Sequence, residues 1–191
     1  ETTKTLPSSA TLTLGYDHVG NSTSYTDAGG TVTYGYNAAN QLTSLAEPGG
    51  SCSGTVSLCT TFGVNNNGER TSTTYPGNTV MAVTLDNSGR PSEVKATNGS
   101  TTISDFTYSY APGGSGDSEI VQKRVDVKNS LTTSYGYDSF NELTSAVEKN
   151  GGGTTTAAWR YCYDNAGNRL HFSTSTSGTE TCSTAPTTGY G

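Results

Sequence analysis

One seven-residue pattern recurs along this chain and constrains its fold more than any other feature. Two aromatic or apolar residues, separated by one residue, are followed by Asp or Asn, two variable residues, and then Gly or Asn. Six intact copies carry the acid or amide at Asp17, Asn37, Asn65, Asp86, Asp138 and Asp164. The same copies close at Gly20, Asn40, Gly68, Gly89, Asn141 and Gly167. A degenerate copy begins at Tyr108 and leaves the pattern at Ala111.

Each part of the pattern predicts a local structure. Alternation of apolar residues with small or polar ones is typical of a β-strand. The Asp or Asn side chain can accept a hydrogen bond from the backbone two residues later, and Gly and Asn tolerate left-handed backbone angles. We therefore predict a type I turn followed by a left-handed residue, which closes a β-hairpin.

The remaining sequence favours the same all-β architecture. Strands leave the turns at residues 40–45, 141–147 and 167–172, whereas no window of a dozen residues keeps the apolar spacing of a helix. Gly and Thr also recur inside every candidate helix. We predict an array of successive antiparallel hairpins that forms a continuous twisted or spiralling sheet. Looser connections are expected at the insertions 49–51, 112–118 and 151–153.

The repeated aromatic positions predict a regular ladder along the sheet. Tyrosines from successive strands are expected to pair across strands, which is a structural role. An aromatic platform that stacks on sugars is the alternative. The repeat aromatics are Tyr16, Tyr34, Tyr36, Tyr108, Tyr110, Tyr135, Tyr137, Tyr161 and Tyr163.

Two copies resemble a known repeat. The segments Tyr16-Asp17-His18-Val19-Gly20-Asn21 and Tyr163-Asp164-Asn165-Ala166-Gly167-Asn168-Arg169-Leu170 are similar to the tyrosine-aspartate motif of the RHS/YD family. The resemblance covers about residues 10 to 173, some seven repeats. The third and fourth copies depart from it, with Val64-Asn65 and Leu85-Asp86 in place of Tyr-Asp, and the fifth lacks the turn.

The resemblance implies long sheets of hairpins that spiral into hollow shells. Such shells enclose a toxic C-terminal domain in bacterial members and form part of cell-surface adhesion proteins in animal relatives. Bacterial shells commonly end in an Asp-Pro-rich self-cleavage segment, and this sequence contains no Asp-Pro. We expect a segment, or a subunit that builds a larger object with its neighbours.

The sequence divides into three regions. We expect an N-terminal lead-in at residues 1–9, the hairpin array at 10–173, and a Ser/Thr-rich C-terminal segment at 174–191.

Four cysteines come as two local pairs, Cys52 with Cys59 and Cys162 with Cys182. Four cysteines permit three connectivities, and the sequence does not choose among them. We favour the two local pairings. Oxidised cysteines are expected because a Ser/Thr/Gly-rich, Lys-poor chain is typical of secreted proteins. Free thiols are the alternative.

Composition argues against several partners. The net charge is -6 and no basic run occurs, so nucleic acid is a poor candidate. No apolar stretch is long enough to cross a bilayer as a helix, so membrane insertion is not expected.

No catalytic, cofactor or metal constellation stands out. One turn acid per repeat supplies too few oxygens for calcium, which needs roughly six to eight. The two histidines, His18 and His171, stand in a turn and in an exit strand, and neither lies beside a nucleophile motif.

We predict a non-enzymatic, secreted or cell-surface structural repeat that forms part of a shell, wall or filament and encloses or displays other domains. The expected partners are neighbouring repeats or head-to-tail copies, with enclosed cargo or surface glycans as further candidates. An adhesin-like module that binds glycans or a cell surface is the alternative function.

Overall fold

The computed structural model describes residues 2–5, 11–111, 117–177 and 182, and every helix or strand element within them is a β-strand. The fifteen strands are β1 (Thr2–Thr5), β2 (Thr11–Tyr16), β3 (Ser22–Asp27), β4 (Gly30–Tyr36), β5 (Leu42–Ser51), β6 (Ser57–Val64), β7 (Arg70–Thr74), β8 (Thr79–Leu85), β9 (Pro91–Asn98), β10 (Thr101–Ser109), β11 (Lys123–Asp126), β12 (Leu131–Tyr137), β13 (Leu143–Asn150), β14 (Thr155–Tyr163) and β15 (Arg169–Ser175).

The strands follow chain order in one open antiparallel sheet, from β1 at one end to β15 at the other. The predicted all-β array of successive hairpins is therefore confirmed. The chain forms two compact units, which are Glu1–Arg90 with Val94–Ile103, and Pro91–Glu93 with Ser104–Gly191. Among the described residues, no helix is long and apolar enough to span a membrane.

A β-bulge recurs at one repeat position. The register shifts immediately before the second aromatic or apolar residue of the motif, between Gly15 and Tyr16 and at four equivalent sites in later hairpins. A bulge re-aims the side chain beside it. The motif therefore encodes both the turn and the orientation of the residue that enters it.

The connections between repeats are tighter than expected. Asp27 pairs with Gly30 across a two-residue turn, and Asn78 donates its backbone N–H to the Tyr75 carbonyl. The predicted loose insertion at 151–153 is wrong, because Gly153 donates to the Asn150 carbonyl at 2.8 Å in a tight turn. At the predicted insertion 49–51, β5 continues to Ser51, but the register with β6 shifts between Ala46 and Ser51, so extra residues are inserted on the β5 side. Of the predicted insertion 112–118, residues 112–116 lie outside the described part.

Buried side chains are small in both units. The buried apolar residues are Ala46, Cys59, Ala146, Ala158 and Cys162. None of the described large side chains is less than 2% exposed. The hydrogen-bonded ladder and the turns therefore carry a larger share of the structure than in a domain with a thick core.

Strands also lie outside the expected array limits. In the region predicted as a lead-in, β1 pairs with β2 in an antiparallel register. At the other end, β15 extends to Ser175 and pairs with β14 through Ala158.

Candidate functional site: the row of motif turns

The six motif turns share one backbone geometry. In each, the acid or amide residue donates its N–H to the carbonyl four residues later at 2.8–3.1 Å, and the closing residue donates back at 3.0–3.3 Å. The closing residue has a φ between 60° and 93°. That left-handed conformation limits the position to Gly or Asn in practice.

The acid or amide side chain stabilises each turn by accepting hydrogen bonds from its backbone. Its Oδ1 accepts the N–H groups of the residues two and four positions later, all at 2.8–3.0 Å. These bonds to a carboxylate favour its charged form. The pKa of Asp164 accordingly lies below its usual value, because the Asn168 side chain and the backbone of Asn168 and Ala166 donate to it.

The residue four positions after the acid or amide completes the turn with its own side chain. Where the turn begins with Asp, a donor follows; Asn21 Nδ2 donates to Asp17 Oδ2, and Arg90 forms an ion pair with Asp86 at 2.7 Å. Where the turn begins with Asn, an acceptor follows, as in Asn65 Nδ2 donating to Glu69 Oε2. This four-residue complementarity is present in the sequence but was not predicted from it.

One turn breaks that rule by pairing two acids. Asp138 is followed by Glu142, and desolvation together with the hydrogen bond to Asp138 raises the pKa of Glu142. The pKa of Asp138 is lowered, first because the Glu142 backbone donates to it. The negative charge of Asp164 adds to the upward shift at Glu142.

Successive turns contact one another within each unit. In the first unit, Asn21 Nδ2 donates to Asn40 Oδ1 at 3.0 Å, and a Cβ placed on Gly68 would lie 2.8 Å from Gln41 Nε2. In the second unit, a Cβ on Gly167 would lie 2.7 Å from Glu142 Oε1. The side chain that completes one turn therefore covers the closing residue of the next.

The second aromatic of the motif ties neighbouring strands together through its hydroxyl. Tyr36 donates to the Ser22 carbonyl at 2.9 Å, and Tyr163 donates to the Leu143 carbonyl at 2.9 Å. Tyr110 and Tyr137 make equivalent bonds to Pro91 and Val121. The rings of Tyr161 and Phe172 stack, with their centroids 6.5 Å apart.

The glycine between the two aromatics lies opposite a serine. Gly15, Gly35, Gly63 and Gly136 face Ser24, Ser44, Ser72 and Ser145. In each pair the serine Oγ occupies the space that a glycine Cβ would need. Thr84 replaces the glycine in the fourth copy, and Cys162, which faces His171, replaces it in the last.

A cavity of about 420 Å³ lies at the last two motif turns. Asp138, Glu142 and Asp164 contribute carboxylates to its wall, and the Tyr161 and Tyr163 rings line it. Phe140, at the tip of its turn, also lines the cavity and is 84% exposed. This is a concave surface with acceptor groups beside an exposed aromatic ring.

The structure joins the cysteines locally. Disulfides link Cys52 to Cys59 and Cys162 to Cys182, with Cα–Cα distances of 5.2 and 5.7 Å. Of the two histidines, His18 is exposed in its turn and His171 is half-buried in β15. Among the described residues, no three His, Cys, Asp or Glu side chains are grouped so that they could hold a metal ion.

A family model matches part of the chain. Residues 16–51, which contain the first two motif turns, match the family model described as RHS Repeat. These residues carry the repeat that the tyrosine-aspartate motifs predicted. No curated protein matches the sequence.

Solved structures share the fold. The chain is similar to a structure of the Tc holotoxin pore of Photorhabdus luminescens with a mutated TccC3, with 18% identity and a TM-score of 0.68 over 90% of this chain. Crystal structures of TcdB2-TccC3-Cdc42 and of TcdB2-TccC3 match with 18% and 19% identity and a TM-score of 0.66 each. The chain spans only 9%, 9% and 10% of the respective solved chains. The repeat and the shared fold support a β-repeat scaffold role.

Proposed function

We propose that the chain is a wall segment of an extracellular RHS-type shell or filament, and that it acts structurally rather than as an enzyme. The observation that carries the proposal is the turn-to-turn contact described above. Side chains of the same repeat complete the motif turns, and a side chain of the previous turn covers the closing residues Asn40, Gly68 and Gly167. Further repeats can be added to such an array, because each new repeat makes the same contacts with its neighbour.

The open ends of the strand order supply the surfaces for growth. A terminal strand presents unpaired N–H and C=O groups, which are templates for another strand. We propose that β1 and β15 pair with neighbouring segments or with further copies of this chain. The two disulfides are compatible with an extracellular location, which belongs to the same proposal.

Sedimentation velocity over a range of protein concentrations tests the edge pairing. Thr174→Lys places a charge on the terminal strand β15, and Thr101→Lys places the same charge on the exposed start of β10, which is not terminal. Lysine on an edge opposes strand addition. We expect self-association to weaken in Thr174→Lys and not in Thr101→Lys. Equal sedimentation of both variants and the parent as monomers would contradict head-to-tail assembly.

A second candidate function, binding of surface glycans, is favoured by one observation. Phe140 presents an exposed ring at the cavity that also contains Asp138, Glu142 and Asp164. Aromatic faces stack on sugar rings, and carboxylates accept hydrogen bonds from hydroxyls.

A glycan array with two turn variants tests that candidate. Val19 occupies the same turn position as Phe140, two residues after the acid, and is 68% exposed. We expect Phe140→Ala to remove any glycan signal and Val19→Ala to leave it unchanged. An array without reproducible signals for the parent protein would exclude this function.

A further inference from the structure

The last hairpin contains buried polar atoms that take no part in the hydrogen bonds of the motif turns. Arg160 Nε, His171 Nε2 and Ser173 Oγ are buried and have no hydrogen-bond partner in the structure. Ser173 is only 8% exposed. Buried donors without partners cost free energy, so three of them close together need a common explanation.

The strand register brings these three residues onto one face. Arg160 lies directly opposite Ser173, and Cys162 lies directly opposite His171. Side chains two residues apart on a strand share a face, so Arg160 and Cys162 lie on the face of Ser173 and His171. Opposed side chains begin about 5 Å apart, and diagonal ones somewhat further.

This face differs from its counterpart in the other hairpins. The position two residues before the motif glycine carries Thr13, Thr33, Thr61 and Ser134, whereas the last hairpin has Arg160 there. The glycine facing a serine is likewise replaced by Cys162 facing His171. A permanent positive charge and an imidazole therefore appear together only at this point of the repeat series.

The chemistry of the three groups selects an anion. The Arg Nε–H is an obligatory donor, and the imidazole nitrogen and the serine hydroxyl can both donate. A cation would be repelled by Arg160, and an apolar group would leave the donors unpaired. We propose that Arg160, His171 and Ser173 bind one oxyanion, a carboxylate or a phosphate, on this face of β14 and β15.

Imidazole NMR signals test the site, because the chain has two histidines and His18 serves as the internal control. The labelled full chain is titrated at constant pH and ionic strength with inorganic phosphate or acetate against sodium chloride. We expect the ring signals of His171 to shift saturably with phosphate or acetate and those of His18 to stay in place. Equal shifts of both histidines, or no saturable shift with either anion, would overturn the site.

Two variants distinguish binding at this site from a general effect of the protein's charge. Arg160→Gln should weaken the apparent affinity at least tenfold, whereas Lys149→Gln, which removes an exposed charge from β13, should leave it unchanged. Should Arg160→Gln fail to fold, Ser173→Ala is the substitute and should weaken binding about threefold. Unchanged affinity in the folded variant that is measured would refute the proposal.

The same titration distinguishes the source of the anion. Inorganic phosphate is compared with a short blocked peptide that carries one Glu. Tighter saturation by phosphate indicates a free anion, and tighter saturation by the peptide indicates an acidic side chain from a neighbouring polypeptide segment. Both outcomes support the site, and the absence of saturation by either contradicts it.

Discussion

At the scale of single residues, the Asp138 turn is the one of the six motif turns that pairs two acids. Two carboxyl groups share a turn in which an Asp or Asn elsewhere meets a complementary side chain. The pKa of Glu142 is raised above its usual value of 4.5 by desolvation, by the Asp138 hydrogen bond and by nearby negative charge. Folding therefore favours the protonated form of Glu142.

We predict that Glu142→Gln stabilises the protein at neutral pH. A raised carboxyl pKa gives a contribution that is present below the unfolded value of 4.5 and is lost as pH rises through the folded pKa. The urea midpoint of the variant should exceed that of the parent at pH 7, and the gain should shrink towards pH 4. Glu119→Gln, which removes an exposed charge, is the control. Equal gains in both variants would contradict a specific carboxyl pair.

A second residue-scale prediction concerns Gly167. Its φ of 80° already disfavours any Cβ, and that Cβ would also lie 2.7 Å from Glu142 Oε1. Gly167→Ala should therefore cost about 1–2 kcal/mol for the backbone angle, plus the displacement of Glu142.

A double-mutant cycle isolates the cost of displacing the Glu142 side chain. Urea unfolding should show that Gly167→Ala costs less in a Glu142→Ala background, because the contacting side chain is absent. Strict additivity of the two changes would show that the turns do not contact each other in solution.

The residue spacing in the sequence predicted which residues form the turns and their backbone conformation. It did not predict the side chains that hydrogen-bond to the turn acids and amides. Asp or Asn followed three residues later by Gly or Asn is a local signal, and the backbone conformation follows from it. The complementary side chain lies four residues after the acid or amide and is equally local, but the predicted motif ended one residue earlier, at the closing Gly or Asn. The Asn150 turn was missed because Lys149 occupies the position that an aromatic or apolar residue holds immediately before each of the six motif turns.

At the scale of strands and hairpins, the hydroxyls of Tyr36, Tyr110, Tyr137 and Tyr163 donate to carbonyls of the preceding part of the sheet. The bulge before Tyr163 re-aims the ring, and its hydroxyl reaches the Leu143 carbonyl of β13. Partial desolvation, followed by the negative charge of Glu142, raises the pKa of Tyr163 above its usual value. Sequence alternation predicted the aromatic position but not this bond, because the carbonyl lies on another strand whose register was unknown.

We predict that Tyr163→Phe lowers the free energy of unfolding by about 0.5–1.5 kcal/mol, the usual net value of one such hydrogen bond. Tyr16→Phe is the matched control, since Tyr16 holds the same motif position and is 46% exposed. Urea denaturation should show a lower midpoint in Tyr163→Phe and little change in Tyr16→Phe. Indistinguishable midpoints would mean that the hydroxyl bond contributes nothing net.

At the scale of the whole molecule, strand contacts are local in sequence. Among the described strands, the contacting pairs are successive neighbours such as β4 with β5 and β13 with β14. Within the part of the chain that the structure describes, the buried apolar side chains are small ones, alanine and cysteine. A protein of this kind behaves as a one-dimensional array, in which stability is a sum of repeat and interface contributions.

Hydrogen exchange tests this locality. We predict that Gly167→Ala speeds amide exchange in β14 and β15, because their turn is strained, and leaves β3 to β5 unchanged. The reciprocal variant Gly68→Ala strains the turn between β6 and β7, where a Cβ would lie 2.8 Å from Gln41, and should leave β13 to β15 unchanged. Faster exchange throughout the chain in either variant would require cooperative unfolding of the whole array. A local response would instead explain how repeats can be added or altered, as at the Cys162–His171 position, without disturbing hairpins elsewhere in the array.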